Sequence, residues 1–187
     1  FDEVTAKEHL PNLVATFDGD TEGKHLVLNG HVDVFPVGNE QAWDRDPWSG
    51  DIEDGVIHGR GAADMKGAIA AFVSAIARFD AAGGDARGSI AFIITGDEEG
   101  PAIHGTKPLM EALHAEGQRF DHVLVGEPTN PHAMGETIKI GRRGSLNGVI
   151  TVTGRQGHVA YPQRAANPLP RLVRYLDTLS STVYDKG

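Results

Sequence analysis

The 187 residues contain no cysteine, and tryptophan (two), tyrosine (three) and methionine (three) are scarce. Without thiols there is no disulfide framework, and any metal must be held through nitrogen and oxygen. Long apolar runs are missing too. The longest nearly apolar stretch, 68–77, falls well short of the roughly 20 residues that span a bilayer as a helix. No charged, apolar and small-residue succession opens the sequence, so no secretion signal is read. Basic residues are outnumbered, 17 against 26 acidic ones, for a formal charge of −9. With no basic stripe to displace counterions, a nucleic-acid backbone is a poor partner. What remains, 40% hydrophobic and 23% charged, is the composition of a folded domain. The expectation is a cytoplasmic protein with neither nucleic acid nor membrane as partner.

Three short apolar runs, 25–30, 89–95 and 122–125, read as buried strands, each ending at a glycine: Gly30, Gly96 and Gly126. Between them lie two helical patterns. Met65, Ile69, Phe72, Val73, Ile76 and Phe79 recur at helical spacing behind Asp64, which is placed to cap them, and Gly83-Gly84 stops the helix. A second helix is expected over 105–117 with Pro108 in its first turn. Residues 36–61 read as loops with a small hairpin. Strands apolar throughout and separated by helices predict an α/β domain with a mostly parallel sheet and flanking helices. Near Gly144 the pattern changes. Leu146, Gly148, Ile150 and Val152 alternate as a half-buried strand, and Leu169, Leu172, Val173, Leu176 and Leu179 form a helical stripe. The expected division is 1–143 and 144–187, both incomplete.

Ligands bind beyond the carboxyl ends of strands in an open parallel sheet. Directly after the three strands stand His31 and Asp33, then Asp97, Glu98 and Glu99, then Glu127, while Asp64 opens the first helix. Singly these are weak signals, since a lone histidine after a strand is usually a structural or surface residue. Together at one sheet edge they form a set of acidic and imidazole groups that would repel unless cations lay among them. Two divalent ions about 3.5–4 Å apart would neutralise such a cluster and ready a water for attack. Asp33, two residues beyond His31 in extended chain, can orient the imidazole. Glu98 and Glu99 can divide the roles of base and ligand, and this pattern does not say which takes which.

The segments NGHVDV (29–34), HGRGAADMKGA (58–68), TGDEEG (95–100) and VGEPT (125–129), in this order and spacing, resemble the zinc-dependent aminoacylase, desuccinylase and carboxypeptidase family. The resemblance covers the chain from about Leu26 to its end. It implies a zinc-peptidase-like fold, with 1–143 as a metal-binding catalytic domain and 144–187 as the start of a smaller α+β lid or dimerisation domain, two zinc ions per subunit (cobalt able to replace one) and hydrolysis of a linear amide bond. By position it makes His31, Asp64, Glu99 and Glu127 metal ligands, with Asp64 bridging, Glu98 the general base and acid, and Asp33 the partner of His31. His158, in GHVAYP, matches a histidine that reaches a partner subunit's active site in a homodimer and steadies the oxyanion. Arg142, Tyr161 and Ser145 match positions that contact substrate carboxylates.

Residues 126–162 are most similar to the desuccinylase branch, which implies release of succinate from N-succinyl-diaminopimelate on the way to lysine. Acetylornithine, other acylated amino acids and dipeptides are the alternative substrates, and a non-catalytic metal-binding fragment is the alternative outside enzymology. Two departures stand out. The family's leading strand-helix segment is mostly absent, and its last zinc ligand, a histidine near the carboxyl end, has no counterpart. His104, His114, His122 and His132 are not at that position. The expectation is a fragment, which alone would hold one zinc with a deficient ligand set.

Overall fold

The computed structural model describes residues 2–5, 11–19, 22–142 and 144–184. The chain divides into two compact units, Phe1–Ile138 and Lys139–Gly187, and each is taken by itself. In the first unit the elements run β1 (Asp2–Thr5), β2 (Pro11–Asp18), β3 (Lys24–His31), β4 (Ile52–Glu53), β5 (Val56–Ile57), α1 (Gly67–Ala81), β6 (Gly88–Thr95), α2 (Thr106–Ala115) and β7 (His122–Val125). The three strands read from sequence are parallel, with β3 between β6 and β7. Two more strands were not foreseen. β2 pairs antiparallel with β6 and β1 antiparallel with β2, so the sheet is mixed, in the order β1-β2-β6-β3-β7. β4 and β5 form the small hairpin expected within 36–61.

Side-chain alternation sends Val27 of β3, with Ala91 and Ile93 of β6, to one face, where Leu109 and Leu113 of α2 complete the buried core. The other face receives α1 and Met65. Here Gly30 and Gly126 act differently from the turn glycines expected. A Cβ on Gly30 would lie 2.7 Å from Ile69 Cγ1 and 3.0 Å from Met65 Cε. One on Gly126 would lie 2.8 Å from Ala68 Cβ and 2.9 Å from Met65 Cε. Both glycines are bare so that the helix can approach the sheet. The apolar face of α1 is narrower than its pattern suggested, since Val73 and Phe79 are exposed.

Asp64 is not the cap of α1. The regular helix begins at Gly67, and Lys66 precedes it without a side-chain capping bond. Asp64 lies instead in a wide turn, Ala62–Lys66, with extended dihedrals of −122° and 94°. Its carboxylate is therefore free for other partners.

In the second unit α3 (Leu169–Ser181) follows a short 3-10 turn, Pro162–Arg164. The strand expected through Leu146, Gly148, Ile150 and Val152 is absent among the described residues. A strand is held by its neighbours, and among the described residues this unit offers a single rung, Arg155 to Ala166. Leu146 is accordingly 97% exposed. The α3 stripe is present, yet Leu169, Val173, Leu176 and Leu179 all face outward from this unit. Arg143, at the end of the expected first domain, lies outside the described residues.

Candidate metal centre

Strand register brings the site together. His31 pairs beside Thr95, and Asn29 beside Val125, so the three parallel strands stop nearly level. The ladders run on for one more bond at each junction, Val32 N–H to Thr95 O at 2.8 Å and Gly126 N–H to Asn29 O at 3.1 Å. The residues that follow must then emerge along one edge of the sheet, and there His31, Asp64 and Glu127 meet. One donor atom from each lies within 4.8 Å of the others.

His31, only 2% exposed, is the hub. Its Nδ1–H donates to the carbonyl oxygen of Asp33 at 2.9 Å, with Asp33 Oδ1 farther off at 3.5 Å. A carbonyl can only accept, so the proton sits on Nδ1 and Nε2 is the atom presented to the site. Around Nε2 stand Asp64 Oδ1 at 3.1 Å, Glu127 Oε1 at 3.5 Å and Glu98 Oε2 at 3.9 Å. Asp33 thus orients the ring chiefly through its backbone, while its carboxylate does something else. Oδ2 accepts the N–H groups of both Glu98 and Glu99 at 2.9 Å. The side chain of Glu99 is not part of the three-residue group around Nε2.

The electrostatics are those of acceptors in excess. For His31 burial works to lower the pKa, but the Asp33 carbonyl and the charges of Glu127, Asp64 and Asp33 overcome it and the net shift is upward. Glu127 is pushed up by burial first and then by the charge of Asp64, with His31 opposing. A nitrogen lone pair aimed among crowded carboxylates suits a divalent cation that takes mixed nitrogen and oxygen ligands, as zinc does. The donor set therefore fits a metal, which His31, Asp64 and Glu127 could hold.

Asp97 carried no assigned role from sequence, although it sits beside Glu98. It is 5% exposed, and its Oδ2 accepts from the N–H groups of Ile103 at 3.0 Å and His104 at 2.8 Å. Those amides, His104 foremost, hold its pKa below the usual carboxylate value against the opposing effect of burial. An acidic residue inside a run of acids gives no sequence signal for this. The remaining site residues from sequence, Arg142, Ser145, His158 and Tyr161, all belong to the second unit and are exposed there. The His158 ring accepts from Ala160 N–H at 3.1 Å and lies 5.8 Å from the Tyr161 ring, over which the Arg164 guanidinium sits at 5.2 Å.

Residues 27–185 match the model of Peptidase family M20/M25/M40, and the chain belongs to that family. The curated relatives it matches include succinyl-diaminopimelate desuccinylase of Methylocella silvestris, 59% identical over 88% of this chain and 42% of the relative. The enzyme of that name from Maricaulis maris is 62% identical over 87% of this chain and 41% of the relative. The chain thus spans less than half the length of these relatives. Among solved structures it is similar to human carnosine dipeptidase 1, with a TM-score of 0.52 and 31% identity over 62% of this chain and 25% of that one. It is also similar to an M20 family metallo-carboxypeptidase, Sso-CP2 of Sulfolobus solfataricus, with a TM-score of 0.56 and 25% identity over 66% of this chain and 28% of that one. No helix among the described residues is long and apolar enough to cross a membrane.

Proposed function

We propose that this chain supplies the metal-binding part of a hydrolase that releases succinate from N-succinyl-diaminopimelate, using two zinc ions per subunit. The observation that carries the chemistry is the convergence of His31, Asp64 and Glu127 within 4.8 Å, with Glu98 beside them. The names of the relatives at 59% and 62% identity support the substrate. When bound, the metal ions would polarise the amide carbonyl and acidify a water.

The chain's own residues have separate tasks. Asp33 fixes the tautomer of His31 through its carbonyl and holds the Glu98 and Glu99 amides through Oδ2. Glu98 takes the proton from the attacking water as the carbon–oxygen bond forms. It returns that proton to the leaving nitrogen as the carbon–nitrogen bond breaks, so succinate and the free amine are both accounted for. Glu99 is read as ligand to the second zinc. His158 is read as reaching a partner subunit's site in a homodimer, and Arg142, Tyr161 and Ser145 as substrate contacts. Residues 1–143 then form the catalytic domain and 144–187 the beginning of the lid.

In the whole protein carrying this sequence, Glu98→Gln should retain zinc yet lose about 10²–10⁴ of turnover, the usual contribution of a general acid-base group. Full activity in that variant would remove the assignment. Acetylornithine, assayed side by side with N-succinyl-diaminopimelate, tests the acyl specificity.

A further inference from the structure

Residues 97–105 link β6 to α2 and carry Glu98 and Glu99 in their first turn. The loop is closed on itself by a buried charge. Asp97 Oδ2 accepts from the N–H groups of Ile103 and His104, at the returning end. The next peptide is hooked in turn, because His104 O accepts from Asn12 Nδ2 at 2.8 Å. Asn12 is 1% exposed and sits on β2, the strand alongside β6. The return is tight. Ala102 takes a left-handed φ of 53°, and a Cβ on Gly105 would lie 2.3 Å from the carbonyl oxygen of Asp97. On the metal side the loop is gripped a second time, where Asp33 Oδ2 binds the Glu98 and Glu99 amides. Two carboxylates and one amide thus tie down a nine-residue segment whose first turn bears the acid-base group.

The geometry points to Asp97 as a positioning residue for the hydrolysis, holding the direction in which Glu98 and Glu99 leave the sheet, with Asn12 as its second anchor. This rests on the hydrolase reading above. Asp97 does not touch the reacting atoms. Its carboxylate makes the end of β6 and the start of α2 a single rigid unit, so that the Glu98 carboxylate stays beside His31 Nε2. Asp33 grips only the two amides and Asn12 only the His104 carbonyl, so Asp97 is the side chain that ties one end of the loop to the other.

The test uses the whole protein carrying this sequence. Hydrogen exchange of 97–105 is followed without metal, zinc affinity by competition with a chromophoric chelator, and turnover on N-succinyl-diaminopimelate with zinc. Asp97→Ala should speed exchange in 97–105 at least tenfold while β3 and α1 stay protected. It should leave the tighter zinc within threefold, because His31, Asp64 and Glu127 are untouched, and lower kcat at least thirtyfold with KM within threefold. Asp97→Asn, which keeps an acceptor oxygen, should recover part of kcat and of the protection. Faster loop exchange with kcat within threefold of wild type overturns the proposal, since Asp97 would then be an anchor without consequence for catalysis. Unchanged loop exchange overturns it as well. Should Asp97→Ala fail to fold, Asn12→Leu, which keeps the side chain's shape and removes its donor to His104 O, must show the same pattern more weakly, or the proposal falls. A wild type that binds zinc but leaves the substrate intact refutes the hydrolase reading instead, and loop exchange in the variants still decides whether Asp97 holds the Glu98–Glu99 segment.

Discussion

Replacing Glu127 with glutamine should make the metal-free protein more stable while destroying much of its affinity for zinc. Donor atoms of Glu127 and Asp64 lie within 4.8 Å. At an effective dielectric constant of about 20, two like charges at that distance repel by about 3.5 kcal/mol. Both side chains are partly open, with 47% of Asp64 and 36% of Glu127 exposed, so solvent screens most of it. A remainder of about 1 kcal/mol is reasonable for charges so exposed. His31, 3.5 Å away, offsets part of this, yet burial and Asp64 still hold the Glu127 carboxyl above its ordinary range.

The sign follows from that raised pKa. An acid whose folded pKa is raised contributes most below its unfolded value of 4.5 and loses that contribution as pH rises through the folded value. At pH 7 the ionised carboxylate is a liability, and glutamine keeps its shape without the charge. In a chain of this size about 1 kcal/mol corresponds to about 2–4 °C in Tm. The assay is thermal melting of both proteins with a chelator and again with zinc. Zinc at a hundredfold excess over Kd should stabilise wild type by about 2.7 kcal/mol, and the variant far less. A chelated variant that melts below wild type, or equal zinc shifts in the two proteins, would show that the cluster is not a strained metal cradle.

Acid should erase the difference between Asp97 and its neutral counterpart. Its folded pKa lies below the unfolded 3.8, so its stabilisation is complete above 3.8 and disappears as pH falls through the lower folded value. Wild type and Asp97→Asn should therefore differ in Tm at pH 6 and converge toward pH 2, and a gap independent of pH would contradict the buried charge. Gly30→Ala sets a Cβ 2.7 Å from Ile69 Cγ1, an overpacking that should cost about 1–3 kcal/mol. It also presses on Met65, the neighbour of Asp64, so zinc affinity should fall with Tm. Removing the facing γ carbon, as in Gly30→Ala with Ile69→Ala, should restore part of the zinc affinity, and failure to do so would place the strain elsewhere.

The parallel strands, both long helices and the hairpin of the first unit were legible because each carries a local pattern. β2 was not, since Asn12 and Thr16 interrupt its apolar residues and its partner β6 is more than seventy residues away. Asp64 misled for a related reason. An aspartate just before an amphipathic stretch satisfies every local rule for a cap, whereas in the fold its carboxylate is turned to His31 Nε2. The alternation at 146–152 was read correctly as a pattern and wrongly as a structure. A strand exists only where another backbone is there to bond it. At the metal centre, residue types and their places after strands pointed to the convergence of His31, Asp64 and Glu127. The second duty of Asp33 and the buried work of Asp97 could not be read, because backbone amides have no letter in a sequence.

β3 lies between two parallel neighbours that bond it along both edges. A one-residue deletion inside it would rotate His31 to the opposite side of the sheet, under α1, and carry the imidazole away from Glu127. Added residues in the stretch between β3 and the Asp64 turn would leave that relation untouched. Natural variation in this chain should accordingly collect in the excursions between strands, while strand length is held fixed to the residue.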